Sequence, residues 1–178
     1  MSSLLLLSGG LDSALCLYHE QDIKLAVGFD YGQPHAIELA RAKALAESKG
    51  VPFRLVQLPA MAKVNEVVFA GRNAVLLSVA ASIAMTERIS TVVIGCNRDD
   101  FNLFPDCRIG FIRGMNAALA AYSVSVYAPL LSMTKAEVVK AAVAAGVPLA
   151  ETWTCYNPQS GVPCGTCLAC KNMEVASV

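Results

Sequence analysis

Residues 4 to 18 read LLLLSGGLDSALCLY. The four leucines predict a buried strand, Gly9 and Gly10 predict a turn, and the apolar run after Ser13 predicts a helix. In α/β proteins a turn of this kind holds phosphate, because glycines let backbone N–H groups close on an anion at the positive end of the helix dipole. The hydroxyls of Ser8 and Ser13 add two donors. These residues therefore indicate a nucleotide site.

The loop lacks the Gly-x-x-x-x-Gly-Lys-Ser/Thr spacing of one common phosphate loop and the three-glycine spacing of dinucleotide sites. It resembles instead the Ser-Gly-Gly-x-Asp-Ser loop of the ATP pyrophosphatase (PP-loop) superfamily, whose members cleave ATP between the α and β phosphates and adenylate a substrate oxygen. The alternative is an ordinary tight turn between a strand and a helix. The resemblance implies that ATP contacts the loop and its flanks: Leu7, Ser8, Gly9, Gly10, Leu11, Asp12, Ser13, Ala14, Leu15, Cys16 and Leu17.

The composition is that of one soluble catalytic domain. The chain has 178 residues, of which 55% are hydrophobic, and this is enough to form a full core. No apolar run is long enough to span a bilayer and no leader with a cleavage site is visible, which predicts a cytoplasmic protein without a membrane partner. Basic and acidic residues number 14 each, so the formal net charge is zero. A small-molecule substrate is therefore favoured over a nucleic acid, whose phosphates require a basic surface.

Four of the seven cysteines cluster near the C-terminus, as Cys155, Cys164, Cys167 and Cys170. Four thiolates close in sequence match a closed tetrahedral zinc site, and because they leave no open coordination position the metal would be structural. The alternative is an iron–sulfur cluster, since Cys-x2-Cys-x2-Cys also opens the bacterial ferredoxin motif. Here, however, the fourth cysteine lies upstream and no Cys-Pro follows. Zinc is therefore the predicted ion.

Strand and helix patterns alternate between these two ends. Predicted strands cover residues 24–29, 53–58, 91–95 and 125–128, and predicted helices cover 35–49, 73–88 and 111–122. A further helix begins at the capping box Thr134-Lys135-Ala136-Glu137 and ends at Gly146. The alternation predicts an α/β fold with a doubly wound, mainly parallel sheet, which binds ligands at the carboxyl ends of its strands. We expect residues 1–150 to form this Rossmann-like domain and residues 151–178 to form a zinc-binding segment packed on it.

The polar motifs that follow these strands occur in an order that resembles the 7-cyano-7-deazaguanine synthase (QueC) family. They are Ser8–Ser13, Phe29–Gln33 with His35, Gly71–Asn73, Asp100-Phe101 with Phe104–Arg108, Lys135–Glu137, Thr154–Asn157 and Cys164–Cys170. The resemblance covers nearly the whole chain and implies the adenine nucleotide α-hydrolase-like form of the fold. It also implies a reaction on the pathway to queuosine, in which 7-carboxy-7-deazaguanine and ammonia become a nitrile with consumption of two ATP. The intermediates would be an adenylated carboxylate and an adenylated amide.

By the same resemblance, the catalytic residues are Ser8, Asp12, Ser13 and Lys135. The two serines and the glycines between them would hold the leaving pyrophosphate. Asp12 would bind Mg²⁺ or orient the loop, and Lys135 would contact phosphate. The alternative for Lys135 is a solvated lysine in the first turn of a helix.

The resemblance also implies a set of substrate contacts: Tyr31, Gln33, His35, Arg72, Asn73, Asp100, Asp106 and Arg108. Either aspartate suits the amino and ring N–H groups of a guanine-like edge, and either arginine suits a carboxylate or a phosphate. The alternatives are aspartates in turns and arginines in surface ion pairs. Family members are commonly homodimers, so a homodimer is expected here.

Several positions depart from the family pattern. Residues 59–70 form a shorter connection than usual, Pro34 replaces a usual arginine, and Arg98 replaces a common acidic residue. A relative that stops at the 7-amido product would keep every motif described above. A PP-loop tRNA sulfurtransferase would also combine this loop with cysteines, but the formal net charge of zero argues against it. A non-catalytic nucleotide-binding module is a further alternative, and the intact loop argues against that one.

Overall fold

Five parallel strands form the centre of the computed structural model, which describes residues 2–33, 37–59, 69–155, 158–159, 162–167 and 170–171. The strands are β1 (Ser3–Leu6), β2 (Ile23–Asp30), β3 (Phe53–Gln57), β4 (Thr91–Val93) and β5 (Ser125–Tyr127). Their order across the sheet is β3-β2-β1-β4-β5, and every neighbouring pair is parallel. The predicted doubly wound α/β fold is therefore confirmed.

The described residues contain the α-helices α1 (Leu11–His19), α2 (Ile37–Ser48), α3 (Arg72–Thr86), α4 (Ile109–Leu119) and α5 (Lys135–Ala144). The predicted capping box of α5 is present, because Thr134 Oγ1 accepts from the Glu137 N–H at 3.2 Å and the Glu137 carboxylate accepts from the Thr134 N–H at 2.7 Å. Short 3₁₀ turns that the sequence patterns did not predict lie at Arg98–Asn102, Pro105–Cys107, Ala120–Tyr122 and Leu149–Glu151. Nowhere in the described part of the chain is there a helix with the length and apolar character needed to cross a membrane.

The four leucines of residues 4–7 are all buried because helices cover both faces of the sheet. Leu5 and Leu7 face a core shared with α1, α2 and α5, whereas Leu4 and Leu6 face a core shared with α3 and α4. Leu4 and Leu5 have no exposed surface, and burying a leucine side chain contributes about 1.5–3 kcal/mol. The apolar run is therefore continuous, without the polar alternation of a strand that has one solvated face.

The strand order places the site between β1 and β4. Strands β2 and β3 extend the sheet on one side of β1, and β4 and β5 extend it on the other. The chain after β1 enters α1 on one face, whereas the chain after β4 passes through two 3₁₀ turns to α4 on the opposite face. Loops that diverge in this way open a crevice at the carboxyl edge of the sheet. The glycine loop of residues 8–13 lies at this crevice.

Candidate active site

A cavity of about 520 Å³ opens at the crevice, within the size range of small-molecule sites. Polar residues from the loop after β1, the loop after β4 and the start of α5 line one end, which we call the lysine end: Ser8, Asp12, Ser13, Asn97, Asp99 and Lys135. Residues from the end of β2 and the starts of α2 and α3 line the other, which we call the arginine end: Tyr31, Glu38, Arg72 and Asn73. The cavity therefore has two chemically different ends.

The loop after β1 places the start of α1 at the cavity wall. Gly10 and Leu11 line the cavity, and no described side chain caps the helix at Gly10. The serine hydroxyls stabilise the loop by hydrogen bonds within it. Ser13 Oγ donates to the Gly10 backbone oxygen at 2.9 Å and lies 3.1 Å from Ser8 Oγ. An uncapped helix start with hydroxyl groups beside it is the arrangement that binds anions.

Gly9 has no room for a side chain. Its φ of +87° lies in the left-handed region, and a Cβ atom there would lie 2.1 Å from the backbone oxygen of Glu38. We expect Gly9→Ala to destabilise the protein by more than about 3 kcal/mol, because a backbone clash adds to the left-handed strain. The measurement is urea unfolding followed by circular dichroism.

Gly71→Ala is the matched control for this variant. Gly71 has a similar φ of +69°, but no described atom lies within 4 Å of a Cβ built there. That change should cost only the left-handed strain, about 1–2 kcal/mol. Equal losses of stability in the two variants would contradict the argument that α2 packs tightly on the loop.

Asp12 and Lys135 form an ion pair at the lysine end, although 123 positions separate them in the chain. The Lys135 Nζ lies 2.5 Å from Asp12 Oδ2, and the two side chains are only 16% and 21% exposed, in that order. The Asn97 side-chain amide donates to the other oxygen of Asp12 at 3.3 Å. The lysine ammonium thus lies in the cavity wall beside the glycine loop.

The loop after β4 fixes this lysine by hydrogen bonds that the sequence analysis did not predict. Asn97 caps the turn Arg98–Asn102, since its side-chain oxygen accepts from the Asp99 N–H at 2.9 Å and its own N–H donates to Asp100 at 3.1 Å. Asp99 in turn accepts from the backbone N–H of Lys135 at 2.8 Å. Burial raises the pKa of the Asp100 carboxyl, and the hydrogen bond from the Asn97 backbone opposes that shift. One short loop therefore holds the start of α5 beside α1.

The arginine end holds a guanidinium and a carboxyl group that are both partly buried. The Arg72 Nη1 donates to the Tyr31 hydroxyl at 3.4 Å, while its Nε is buried and has no hydrogen-bond partner among the described residues. Glu38, in the first turn of α2, accepts from the Gln33 side chain at 3.3 Å. Burial raises the pKa of Glu38 to about 7, and the Gln33 hydrogen bond and the Arg72 charge oppose that shift.

Gln33 supports this end from behind the cavity wall. Its side-chain oxygen accepts from the Tyr31 N–H at 2.9 Å, and its nitrogen donates to the Phe29 backbone oxygen at 3.0 Å as well as to Glu38. The Tyr31 ring packs edge-on against Phe69, with 5.3 Å between ring centroids. The segment after β2 is thereby held as one rigid turn.

The predicted aspartates and arginines occupy different kinds of position. Asp106 does not line the cavity, because its carboxylate accepts from the Asn73 backbone N–H at 2.9 Å, whereas Asp100 lines it. Arg108 is exposed and donates to the Phe101 backbone oxygen at 2.9 Å, whereas Arg72 lines the cavity. Among the predicted ATP contacts, the residues 14–17 are buried in the core beneath the loop. His35 lies outside the described residues.

Three polar residues of the cavity wall are not among the predicted site residues: Glu38, Asn97 and Asp99. Asn97 and Asp99 follow the β-branched strand β4, so the rule that ligands bind at the carboxyl ends of parallel strands was a usable signal for them. Glu38 lies inside a predicted helix, and no local pattern distinguishes it from the exposed glutamates of such helices.

The fold brings the four C-terminal cysteines together. The sulfur atoms of Cys155, Cys164, Cys167 and Cys170 lie within 4.8 Å of one another. Sulfurs that share one zinc ion at about 2.3 Å are about 3.8 Å apart. The four sulfurs would therefore need to move only slightly closer together to coordinate a single tetrahedral ion. Backbone N–H groups already donate to two of the sulfurs, from Cys164 to Cys155 at 3.2 Å and from Cys167 to Cys164 at 3.3 Å. The chemistry of this donor set fits a closed metal site.

Trp153 connects the cysteine cluster to the glycine loop. Its backbone N–H donates to the Gly9 oxygen at 2.8 Å, and its indole N–H donates to the Cys155 backbone oxygen at 3.1 Å. Trp153 and Cys155 are both buried and line the cavity. The segment that carries the cysteine cluster and the loop therefore share one wall of the site.

Comparison with known proteins gives matches over nearly the full chain. A sequence model of the family described as "Queuosine biosynthesis protein QueC" matches residues 2–70 and 62–176. The 7-cyano-7-deazaguanine synthase of Rhizobium rhizogenes is 32% identical over 200 residues, covering 94% of this chain and 85% of that protein. The 7-cyano-7-deazaguanine synthase of a Ruegeria species is 33% identical, covering 96% of this chain and 85% of that protein.

Solved structures share the fold at low sequence identity. The U34-tRNA thiolase NcsA from Methanococcus maripaludis, with its [4Fe-4S] cluster, superposes with a TM-score of 0.61 at 15% identity, over 99% of this chain and 64% of that chain. The NMN synthetase from Francisella tularensis gives 0.61 at 14% identity, over 92% and 70%. At such identities the likeness establishes the fold alone.

Proposed function

Because the chain belongs to the QueC family of queuosine biosynthesis proteins, we propose that it converts 7-carboxy-7-deazaguanine and ammonia to 7-cyano-7-deazaguanine with consumption of two ATP. One observation carries the proposal at the level of the site. A glycine loop with an uncapped helix start, the Asp12–Lys135 pair and the partly buried Arg72 all line one cavity. The two ends of that cavity suit a polyphosphate and an anionic substrate respectively.

The first half of the reaction is an adenylation. A carboxylate does not lose oxide, so its oxygen must first be joined to AMP, with pyrophosphate leaving. At the lysine end, Ser8, Ser13 and the first N–H groups of α1 would bind the leaving pyrophosphate, and Lys135 would neutralise its charge. Ammonia then displaces AMP and gives the amide.

The second half repeats this chemistry on the amide. Its oxygen is adenylated in the same site, and expulsion of AMP leaves the nitrile. Neither half needs a nucleophilic side chain, so the residues contribute by positioning and by charge neutralisation. One adenylating site is therefore sufficient for both halves.

We propose Asp12 as the carboxylate that would hold Mg²⁺, which when bound neutralises charge on the phosphate oxygens. An aspartate oxygen is a ligand type that Mg²⁺ prefers, and this one lies beside the loop. We propose zinc for the cysteine cluster, in a structural role, because four thiolates leave no open position for a substrate. Residues 151–178 would then be a segment that the ion folds and that packs on the 1–150 domain.

The substrate would lie toward the arginine end. Arg72 suits the substrate carboxylate, because it carries a positive charge and lines the cavity. Asp100 suits the donor edge of the deazaguanine, since of the two aspartates in the predicted substrate set it is the one that lines the cavity. The remaining predicted contacts stay part of the proposal as residues that would support these two: Tyr31, Gln33, His35, Asn73, Asp106 and Arg108. A homodimer remains our proposal from the family resemblance.

A product assay tests this function. We expect the purified protein, given ATP, Mg²⁺, ammonium and 7-carboxy-7-deazaguanine, to form the nitrile, with AMP and pyrophosphate released in a two-to-one ratio to product. Mass spectrometry of the deazaguanine products and chromatography of the nucleotides make the measurement, and a reaction without the deazaguanine is the control. Absence of substrate-dependent AMP would contradict the proposal as a whole. Accumulation of the 7-amido compound would contradict its second half.

A further inference from the structure

We infer that Glu38 is the general base that takes a proton from ammonium in the amide-forming step; this inference rests on the proposed function. Ammonia in water near neutral pH is mostly ammonium, which has no lone pair with which to attack an acyl adenylate. A carboxylate that faces the bound nucleophile can remove that proton. A carboxylate in the cavity that is free to accept a proton would therefore increase the supply of the nucleophile.

The hydrogen bonds of the cavity wall distinguish Glu38 from the other acidic residues there. Asp12 is paired with the Lys135 ammonium, and Asp99 accepts from the Lys135 backbone. Asp100 accepts from a backbone N–H as part of a turn cap. Among the described residues that line the cavity, Glu38 is the carboxyl that accepts from a neutral side-chain amide without also pairing with a lysine or accepting from a backbone N–H. Of the cavity carboxyls, Glu38 therefore contributes least to the hydrogen bonds and ion pairs that hold the fold.

The carboxyl of Glu38 is also oriented. Gln33 donates to it at 3.3 Å, and Gln33 is itself fixed by bonds to the backbone of Tyr31 and Phe29 at 2.9 Å and 3.0 Å. The first turn of α2 packs directly on the glycine loop, because the Glu38 backbone oxygen occupies the space beside Gly9. The carboxyl therefore lies between the loop that would hold the adenylate and the arginine that would hold the substrate. A base held by a second residue is the arrangement typical of acid–base catalysis.

The charges around Glu38 suit this role. Burial raises the pKa of Glu38 to about 7, and the Gln33 hydrogen bond and the charge of Arg72, which lies on α3, oppose that shift. Tyr31 and Cys107 line the same end, and Asp12 and Lys135 lie at the opposite end. Below pH 7 the carboxyl would be protonated and unable to act as a base, so the ammonia-dependent rate should rise with pH through about 7 and then level off.

Ammonium transfers one proton to the Glu38 carboxylate, and the nitrogen lone pair forms the bond to the acyl carbon. The bond from that carbon to the AMP oxygen breaks, and AMP leaves with the electron pair. The second proton leaves the new amide nitrogen to water, and Glu38 then releases its own proton to water.

The test replaces Glu38 by glutamine and compares two nucleophiles. Glutamine keeps the shape and the hydrogen-bonding reach of the side chain but cannot accept the proton. We expect Glu38→Gln to lower the ammonia-dependent rate about a hundredfold at neutral pH. The rate with hydroxylamine, which is largely unprotonated at that pH, should fall no more than about threefold, because hydroxylamine needs no base before it attacks.

Glu47→Gln is the matched control, because Glu47 lies on the same helix but is exposed and pairs with Lys43. It should change neither rate. A second readout is the pH profile. In Glu38→Gln the ammonia-dependent rate should keep rising about tenfold per pH unit with the fraction of free ammonia, where the unmodified protein levels off.

If Glu38→Gln lowered the rates with ammonia and with hydroxylamine equally, the inference would be overturned. That result would mean that Glu38 binds the substrate or holds the fold. A level pH profile in the variant would overturn it as well. Failure of the proposed function looks different, because the unmodified protein would then release no substrate-dependent AMP with either nucleophile.

Discussion

Replacing Asp12 by alanine is expected to lower kcat/KM for the deazaguanine substrate at least about a thousandfold while the protein stays folded. The carboxylate holds the Lys135 ammonium at 2.5 Å and accepts from Asn97 at 3.3 Å. Its loss would release the lysine from its position beside the glycine loop and remove the proposed Mg²⁺ ligand. The rate of AMP release at saturating ATP measures the effect, and thermal unfolding reports whether the fold is kept.

Glu87→Ala is the control for Asp12→Ala. It also removes a carboxylate from an ion pair, since Glu87 lies 2.6 Å from Arg54, but that pair is exposed and neither residue lines the cavity. Exposed pairs contribute at most about 1 kcal/mol, so both activity and stability should change little. A rate within tenfold of the unmodified protein in Asp12→Ala would remove Asp12 from the catalytic residues.

Asp12 and Lys135 should act as one unit. We therefore expect the double variant, with alanine at both positions, to be no slower than the slower single variant, because either change already disrupts the pair. Additive losses would show instead that the two residues serve separate functions.

Replacing Cys167 by serine is expected to remove the bound metal and most of the soluble protein together. Cys167 is one of four sulfurs that lie within 4.8 Å of one another, and three thiolates with one hydroxyl bind zinc much more weakly. Metal binding of this kind supplies folding free energy, so the segment after Trp153 should lose its order. Elemental analysis of the purified protein measures metal per chain, and the fraction of soluble protein measures the second effect.

Cys16→Ala is the control for Cys167→Ser. Cys16 is also buried but lies in α1, outside the cluster, so the variant should keep about one metal ion per chain. Unchanged metal content in Cys167→Ser would contradict the assignment of the four ligands. Iron and sulfide in place of zinc in the unmodified protein would contradict the choice of ion.

The loss of metal should also weaken ATP binding. The Trp153 N–H donates to Gly9 in the glycine loop, and Trp153 and Cys155 share the cavity wall with that loop. Any soluble Cys167→Ser protein should therefore bind ATP less tightly, although no cysteine of the cluster is proposed to touch ATP.

Much of the fold was predictable because its signals are local. The run of leucines, the glycine pair and the helix start fall within fifteen consecutive residues, and the capping box at Thr134 falls within four. The predicted helix at 73–88 is observed as Arg72–Thr86, and the predicted strand at 24–29 as Ile23–Asp30. Such elements form from hydrophobic periodicity and capping, which depend on near neighbours in the chain.

The 3₁₀ turns after β4 were not predictable in the same way. The turn Arg98–Asn102 is held by a hydrogen bond from the Arg98 N–H to the Met133 oxygen at 2.8 Å and by the bond from Lys135 to Asp99. Both partners lie more than thirty positions further along the chain. A pattern read over a short window contains no information about such a contact.

For the site, the resemblance supplied the residue types and the tertiary contacts supplied their geometry. Both aspartates of the predicted substrate set looked equivalent in sequence, yet Asp106 bonds to the start of α3 while Asp100 lines the cavity. Glu38 had no distinguishing signal, because its burial comes from the packing of α2 on the glycine loop.

The sequence of residues within short segments was therefore sufficient to predict the strands and helices, the glycine loop and the cysteine cluster. Each of these features depends on residues that are close together in the chain. The Asp12–Lys135 pair, the orientation of Glu38 toward the cavity and the bond from Trp153 to Gly9 required the folded sheet. The strand order β3-β2-β1-β4-β5 brings loops from distant parts of the chain to one edge. The charges and hydrogen bonds of the site arise only where those loops meet.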